Sequence, residues 1–259
     1  MTLFDTHCHI DVEEFAADRA EVLTAARRAG VAEILVPAVE RSTWPALLAL
    51  CADDPGLYPA LGLHPVYLAR HRDEDAAVLA EAVAAAQPVA IGEIGLDWFV
   101  DGLDRARQQR LLEAQLEVAE AFSLPVVLHV RKAHDAMLAT LRRFRLRGGT
   151  CHAFNGSIDQ ARRYLDMGFR LGFGGMLTFE RSSRLRRLAG ELPLEAIVLE
   201  TDAPDMTVAS HRFERNSPEY LPEVLATLAA LRGLPEEEVA RTTTATARAV
   251  FGLAPAQPA

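Results

Sequence analysis

The sequence predicts an α/β protein of the TIM type: a (β/α)8 barrel in a single domain, with an extra C-terminal helix. Three observations carry this. Eight short runs rich in branched apolar residues recur along the 259 residues, and helix-sized amphipathic stretches separate them. The first run ends in His7, Cys8 and His9 rather than in the glycine-rich phosphate turn that an open doubly wound sheet would normally place there.

The strand-like runs are residues 3–9, 33–38, 57–63, 89–93, 126–130, 150–154, 169–174 and 197–201. They are too short and too apolar for half-solvated antiparallel strands, so parallel pairing through right-handed crossovers is expected. Between them, Val22, Ala25, Ala26 and Ala29 keep the spacing of a helix stripe, as do Val78, Leu79, Ala82, Val83 and Ala86. Leu112, Leu116, Ala119 and Phe122 continue the pattern, followed by Met137, Leu141 and Phe144, and then by Ile158, Ala161 and Leu165. Leu185, Leu188 and Leu192 give a shorter stripe. A last barrel helix is expected around Leu221, Val224, Leu225, Leu228 and Leu231, and one more helix over 236–251 packs outside. The domain is expected to span 1–253, with a frayed tail over 254–259.

Thirty-six acidic against 27 basic residues give a formal charge of −9, which argues against a broad basic footprint on duplex nucleic acid. Lys132 is the single lysine; every other basic residue is an arginine, suited to bidentate phosphate contacts. Cys8, Cys51 and Cys151 lack CxxC spacing and read as core thiols, which points to a reducing, cytoplasmic setting. No apolar stretch is long enough for a membrane span, and Asp5, His7 and His9 stand where a signal peptide would be apolar. A monomer with no membrane partner is expected.

In a β/α barrel the chemistry gathers at the carboxyl ends of the strands, and the unusual residues fall there. Those ends carry His7 and His9, His64, Glu93, His129, His152 and Asp202. Period-two geometry sets His7 and His9 on one side of their strand. Glu93 closes a buried apolar run, where an unpaired carboxylate would cost several kcal/mol, so it needs a cation, an arginine or a metal. Convergence of two carboxylates and four imidazoles at one mouth favours metal. Six ligands, His7, His9, Glu93, His129, His152 and Asp202, exceed the set for one catalytic zinc and fit two divalent ions (Mg, Mn or Zn) sharing Glu93. Lys132, three residues past His129, is expected to face away, which disfavours a carboxylated-lysine bridge.

Six segments resemble, in order, the motifs of the TatD-type metal-dependent hydrolases and deoxyribonucleases of the amidohydrolase superfamily. They are Asp5-Thr6-His7-Cys8-His9-Ile10-Asp11, Gly62-Leu63-His64-Pro65, Gly92-Glu93-Ile94-Gly95-Leu96-Asp97, the stretch 124–131 ending in His129-Val130-Arg131, the stretch 152–157, and Leu199-Glu200-Thr201-Asp202-Ala203-Pro204. The resemblance runs over nearly the whole chain. It implies one ion on His7, His9, Glu93 and Asp202, a second on Glu93, His129 and His152, and a substrate contact for His64.

Two divalent ions, two ionised carboxylates and a bridging hydroxide leave a formal charge of about +1, receptive to phosphate. Asp202 is placed to accept the proton of the attacking water, and His64 and Arg131 to hold a phosphoryl oxygen. Arg131 has a plainer reading as the partner of Glu200 or Asp135. The segment Asn155-Gly156-Ser157 reads either as an anion site or as a Ser157 helix cap. Two function classes follow. One is a phosphodiesterase, a 3′-5′ exodeoxyribonuclease acting on single-stranded nucleic acid ends or a small phosphoester, without extended duplex binding. The other hydrolyses a small carboxylic ester or amide, including aminoacyl esters on nucleic acid.

Overall fold

The computed structural model describes residues 1–72 and 74–254. Among these, eight strands and nine α-helices follow one another in the predicted alternation. The eight strands belong to one sheet in chain order, and each pairing described is parallel. The TIM-type class with an extra carboxyl-terminal helix is therefore the one observed. The chain divides into two compact units, Met1–Val36 with Leu171–Ala259, and Pro37–Arg170.

The first unit contains β1 (Leu3–Asp5), α1 (Arg19–Arg28) and most of β2 (Val31–Pro37), then most of β7 (Phe169–Phe173), followed by α7 (Ser183–Glu191), β8 (Ile197–Leu199), α8 (Leu221–Arg232) and α9 (Glu236–Phe251). The predicted stripe of α1 buries Val22 and Ala26. Glutamates at 236, 237 and 238 open α9 and Arg248 lies in its last turn, an arrangement that complements the helix dipole. This helix packs on β1, β8 and α8, with Phe251 against Phe4 at 5.9 Å between ring centroids. Deleting either ring would cost about 3–5 kcal/mol.

The second unit contains β3 (Leu57–Leu61), β4 (Ala90–Asp97), β5 (Val126–Arg131) and β6 (Gly149–Cys151), with α2 (Trp44–Asp53), α3 (Asp75–Ala86), α4 (Arg105–Phe122), α5 (His134–Leu141) and α6 (Ile158–Asp166). Helix α2 has no stripe to read, because its sequence WPALLALCAD is apolar almost throughout. Ser157 accepts from the Gln160 amide while the Gln160 side chain accepts from the Ser157 amide, a capping box that starts α6. The cap reading of 155–157 is thus the one realised. Gly95 is required by close approach: a Cβ there would lie 1.9 Å from the His129 carbonyl oxygen of β5.

Strand bounds differ from the sequence reading in a consistent way. Strands β1, β6 and β8 end at Asp5, Cys151 and Leu199, so His7, His9, His152 and Asp202 lie just past the ladders. Strand β4 instead runs four residues beyond Glu93 to Asp97. The three cysteines are buried and unbridged, as expected of core thiols. No described helix is long and apolar enough to cross a membrane. Ala254 accepts a hydrogen bond from Arg248 at 2.6 Å; the rest of the expected frayed tail, 255–259, lies outside the described residues.

Candidate metal-binding site

In the first unit, His7 and His9 follow β1 in a segment tied by backbone hydrogen bonds to the segment after β8. Thr6 N donates to Leu199 O (3.0 Å), Asp202 N to His7 O (2.8 Å) and His9 N to Ala203 O (2.8 Å). Asp5 braces this pairing. Its buried carboxylate accepts from the Thr201 amide at 2.9 Å, the Thr201 hydroxyl at 2.5 Å and the His7 amide at 3.2 Å. Burial raises the Asp5 carboxyl to about 7 despite these hydrogen bonds, with the Glu200 charge adding to the rise. Asn216 holds the same loop, donating to Thr201 O at 2.8 Å and to Asp205 O at 2.6 Å. Asp202 itself has φ +59°, a left-handed conformation that aspartate tolerates better than most residues.

That frame brings His7 Nε2 to 3.2 Å from His9 Nε2, and the two nitrogens to 3.6 and 3.8 Å from Asp202 Oδ1. His7 is fully buried, while His9 and Asp202 each keep 15% of their side chains open to solvent. The three form one donor group able to hold a metal ion.

In the second unit, Glu93 is 1% exposed, and its Oε1 is approached by three imidazoles. His129 Nδ1 lies at 2.9 Å, His152 Nε2 at 3.1 Å and His64 Nε2 at 3.2 Å. Three partners of this buried carboxylate are therefore histidines. Two ligands on an ion with bonds near 2.0–2.1 Å sit about 2.9–3.4 Å apart in octahedral or tetrahedral geometry. The spacings of Glu93, His129 and His152, the last two being 3.4 Å apart, fall in that range. The donor chemistry agrees. Asp97 Oδ2 accepts from His129 Nε2 at 2.9 Å, so a neutral His129 turns its Nδ1 lone pair toward the Glu93 carboxylate. Two lone pairs facing each other call for a cation between them, a proton or a metal ion.

His64 differs from the other two. The Val66 amide donates to His64 Nδ1 at 3.2 Å, which leaves the proton of a neutral ring on Nε2. His64 thus faces Glu93 as a hydrogen-bond donor, although it lies within the same donor cluster. Burial disfavours a charged His129, yet hydrogen bonds with Asp97 and Glu93 hold its pKa above the ordinary value. Burial also opposes the charge on Asp97, but the bonds from His129, Val100 and Phe99 outweigh it and hold its carboxyl at about 2.

The sequence reading passed over Asp97, because β4 was expected to stop at Glu93; the pairing of Gly95 with His129 and Asp97 with Arg131 places it. A second unforeseen group is the Asn155 amide. It donates to Ala153 O (3.1 Å) and Val130 O (3.4 Å), the residues next to His152 and His129, and accepts from His134 Nε2 (3.1 Å). Arg131 comes within 3.6 Å of Asp97 Oδ2, while Asp135 is taken by Arg163 and Gln160.

The chain matches the family model described as TatD related DNase over residues 4–252. It is 43% identical to the uncharacterized metal-dependent hydrolase YjjV of Escherichia coli K12, covering 92% of this chain and 93% of that one. It is 33% identical to the 3′-5′ ssDNA/RNA exonuclease TatD of Erwinia tasmaniensis, covering 97% and 100%. The crystal structure of the Escherichia coli YjjV protein superposes with a TM-score of 0.94 at 41% identity, covering 97% of this chain and 98% of that one. Fold, donor sets and relatives together make this chain a member of the TatD family of metal-dependent hydrolases.

Proposed function

We propose that the protein is a two-metal phosphodiesterase that removes nucleotides from the 3′ end of single-stranded nucleic acid. The observation that carries the metal part is the second unit's donor set, in which one buried carboxylate oxygen meets two histidine nitrogens at ligand spacing. In this reading His7, His9 and Asp202 would hold one divalent ion and Glu93, His129 and His152 the other, with magnesium, manganese or zinc as the metal. When bound, the ions would lower the pKa of water and polarise the scissile group.

The chain's own residues supply the rest. Asp202, still reached by solvent, accepts the proton of the attacking water at its carboxylate. His64 offers its Nε2 proton to a phosphoryl oxygen, a role suited to the tautomer that Val66 imposes. Arg131, exposed at the end of β5, adds a charged hydrogen bond to the same group. The relative from Erwinia tasmaniensis that bears the name of a 3′-5′ ssDNA/RNA exonuclease supports nucleic acid as substrate. The net charge of −9 favours strand ends over extended duplex.

The test gives metal-loaded protein a 5′-labelled single-stranded oligonucleotide, a blunt duplex, an aminoacyl ester and a dipeptide amide. Mononucleotide release from the single strand is expected, with weaker action on the duplex. His64→Ala and Arg131→Ala should each slow release by roughly a hundredfold. Cleavage of the ester or amide alone, with both variants at wild-type rates, would replace this reading with carboxylic ester or amide hydrolysis.

A further inference from the structure

We infer that Lys132, held over Phe99 beside Arg131, forms an anion subsite next to the second unit's donor set, which takes a second phosphate of the substrate while Arg131 reaches the one attacked. The inference rests on the phosphodiester reading above.

Phe99 is an exposed large apolar residue, 49% accessible, in the loop after β4. The Arg131 guanidinium lies 4.2 Å from its ring centroid and the Lys132 ammonium 4.7 Å. The two cations are therefore at most about 9 Å apart, within roughly one screening length at physiological salt, and act on an approaching anion together. Attraction to the ring face holds each in place. A ring already approached by two cations is a poor platform for a stacking base; what this rim turns to solvent is positive charge.

Little in the protein neutralises that charge. Arg131 has Asp97 at 3.6 Å, but Asp97 already accepts from His129 and from the Phe99 and Val100 amides at 2.8 and 2.9 Å. Among the described residues no carboxylate forms an ion pair with Lys132. In a chain of net charge −9 with a single lysine, an unpaired ammonium beside a guanidinium is an exception that an anionic ligand would account for.

The rim is also built in advance. Asp97 fixes the Phe99 amide, Trp98 N donates to Arg131 O at 2.9 Å, and Lys132 has φ +54°, which directs it off the line of β5. The same Asp97 orients His129, so the rim is coupled to the donor set through one carboxylate.

Steady-state kinetics of the manganese-loaded full chain on two dinucleotides, read as release of thymidine 5′-monophosphate, tests this. One is thymidylyl-(3′→5′)-thymidine; the other is the same compound carrying a 5′-phosphate. The wild type should show a KM roughly tenfold lower for the 5′-phosphorylated compound at similar kcat. Lys132→Gln and Phe99→Ala should bring the KM ratio toward one, and Lys132→Arg should preserve it. Equal KM values in the wild type, or a ratio that survives Lys132→Gln, overturn the subsite alone. A wild type inert toward both compounds overturns the phosphodiester reading and the subsite with it.

Discussion

Each unit gathers donor atoms that could hold a metal ion, and the two do so in different ways. The first spaces its donors 3.2 to 3.8 Å apart and leaves His9 and Asp202 partly wet. The second packs Glu93, His129 and His152 at 2.9 to 3.4 Å and shields them almost completely. In the proposed reaction, wide spacing and solvent suit a set that admits water and accepts a proton. Tight spacing and burial suit a set whose electrostatics are strengthened by low dielectric and whose loss is correspondingly severe. The supports differ likewise. Backbone pairing of 6–9 with 199–203, braced by Asp5, holds the first set, while hydrogen bonds accepted by the Asp97 side chain and donated by the Asn155 side chain hold the second.

The strongest way to break this comparison is Glu93→Gln. It keeps the shape but removes the one carboxylate that three imidazoles face, so turnover should fall more than a hundredfold while circular dichroism stays native. Near wild-type activity would end the claim that the buried set is essential. Next in size is the His7→Ala/His9→Ala double variant. Elemental analysis of protein purified without chelator should fall from about two ions per chain to about one, leaving the second set filled. Unchanged metal content would remove the first set from metal binding.

Much of this site is written in the sequence, and the rest is not, for reasons of geometry. Glu93 stood out because its apolar run announces burial, and His7, His9, His129, His152 and Asp202 stood out because each sits at the end of such a run. The fold was legible for the same reason, save α2, whose uniform apolarity erases any stripe. Asp97 was hidden because Gly92 and Gly95 interrupt the apolar pattern of β4, so the strand seems to end early; yet Gly95 is what lets β5 approach. The brace formed by Asp5, Thr201 and Asn216 was hidden because it satisfies backbone groups just past the ends of β1 and β8, where the apolar runs read as continuing strand. The placement of Lys132 over Phe99 goes with a left-handed backbone at Lys132 that no residue type there announces.

A sharper cut is Asp97→Asn, which takes away the negative charge behind His129 but leaves the ligand in place. Metal affinity of the second set, measured by titration calorimetry, should weaken roughly 10- to 100-fold, whereas the ion on the first set keeps its affinity. Equal loss at both would mean that Asp97 acts on the whole molecule and not on one set. The smallest effect sets the baseline for an ordinary ion pair. Asp75 accepts from Arg41 at 3.0 Å and from the Arg72 amide at 2.8 Å. Burial opposes its charge, but these bonds hold its carboxyl below the usual value. Its contribution is therefore present above the unfolded carboxylate pKa and fades as pH falls through the lower folded value. Asp75→Asn should cost under about 1 kcal/mol at neutral pH and nothing in strong acid, as read from urea midpoints.

Lys132 has one more consequence, for chemistry at the bench. A chain with a single lysine offers one ε-amine to an acylating dye or an activated resin, and here that amine stands over Phe99 at the rim of the donor set. Coupling at alkaline pH, where the ammonium gives up its proton, attaches side chains through this one point, and the α-amine of the chain, which deprotonates at lower pH, is the other amine to be blocked first. A fluorophore placed there reports directly on what arrives at that rim, and a resin coupled there blocks it.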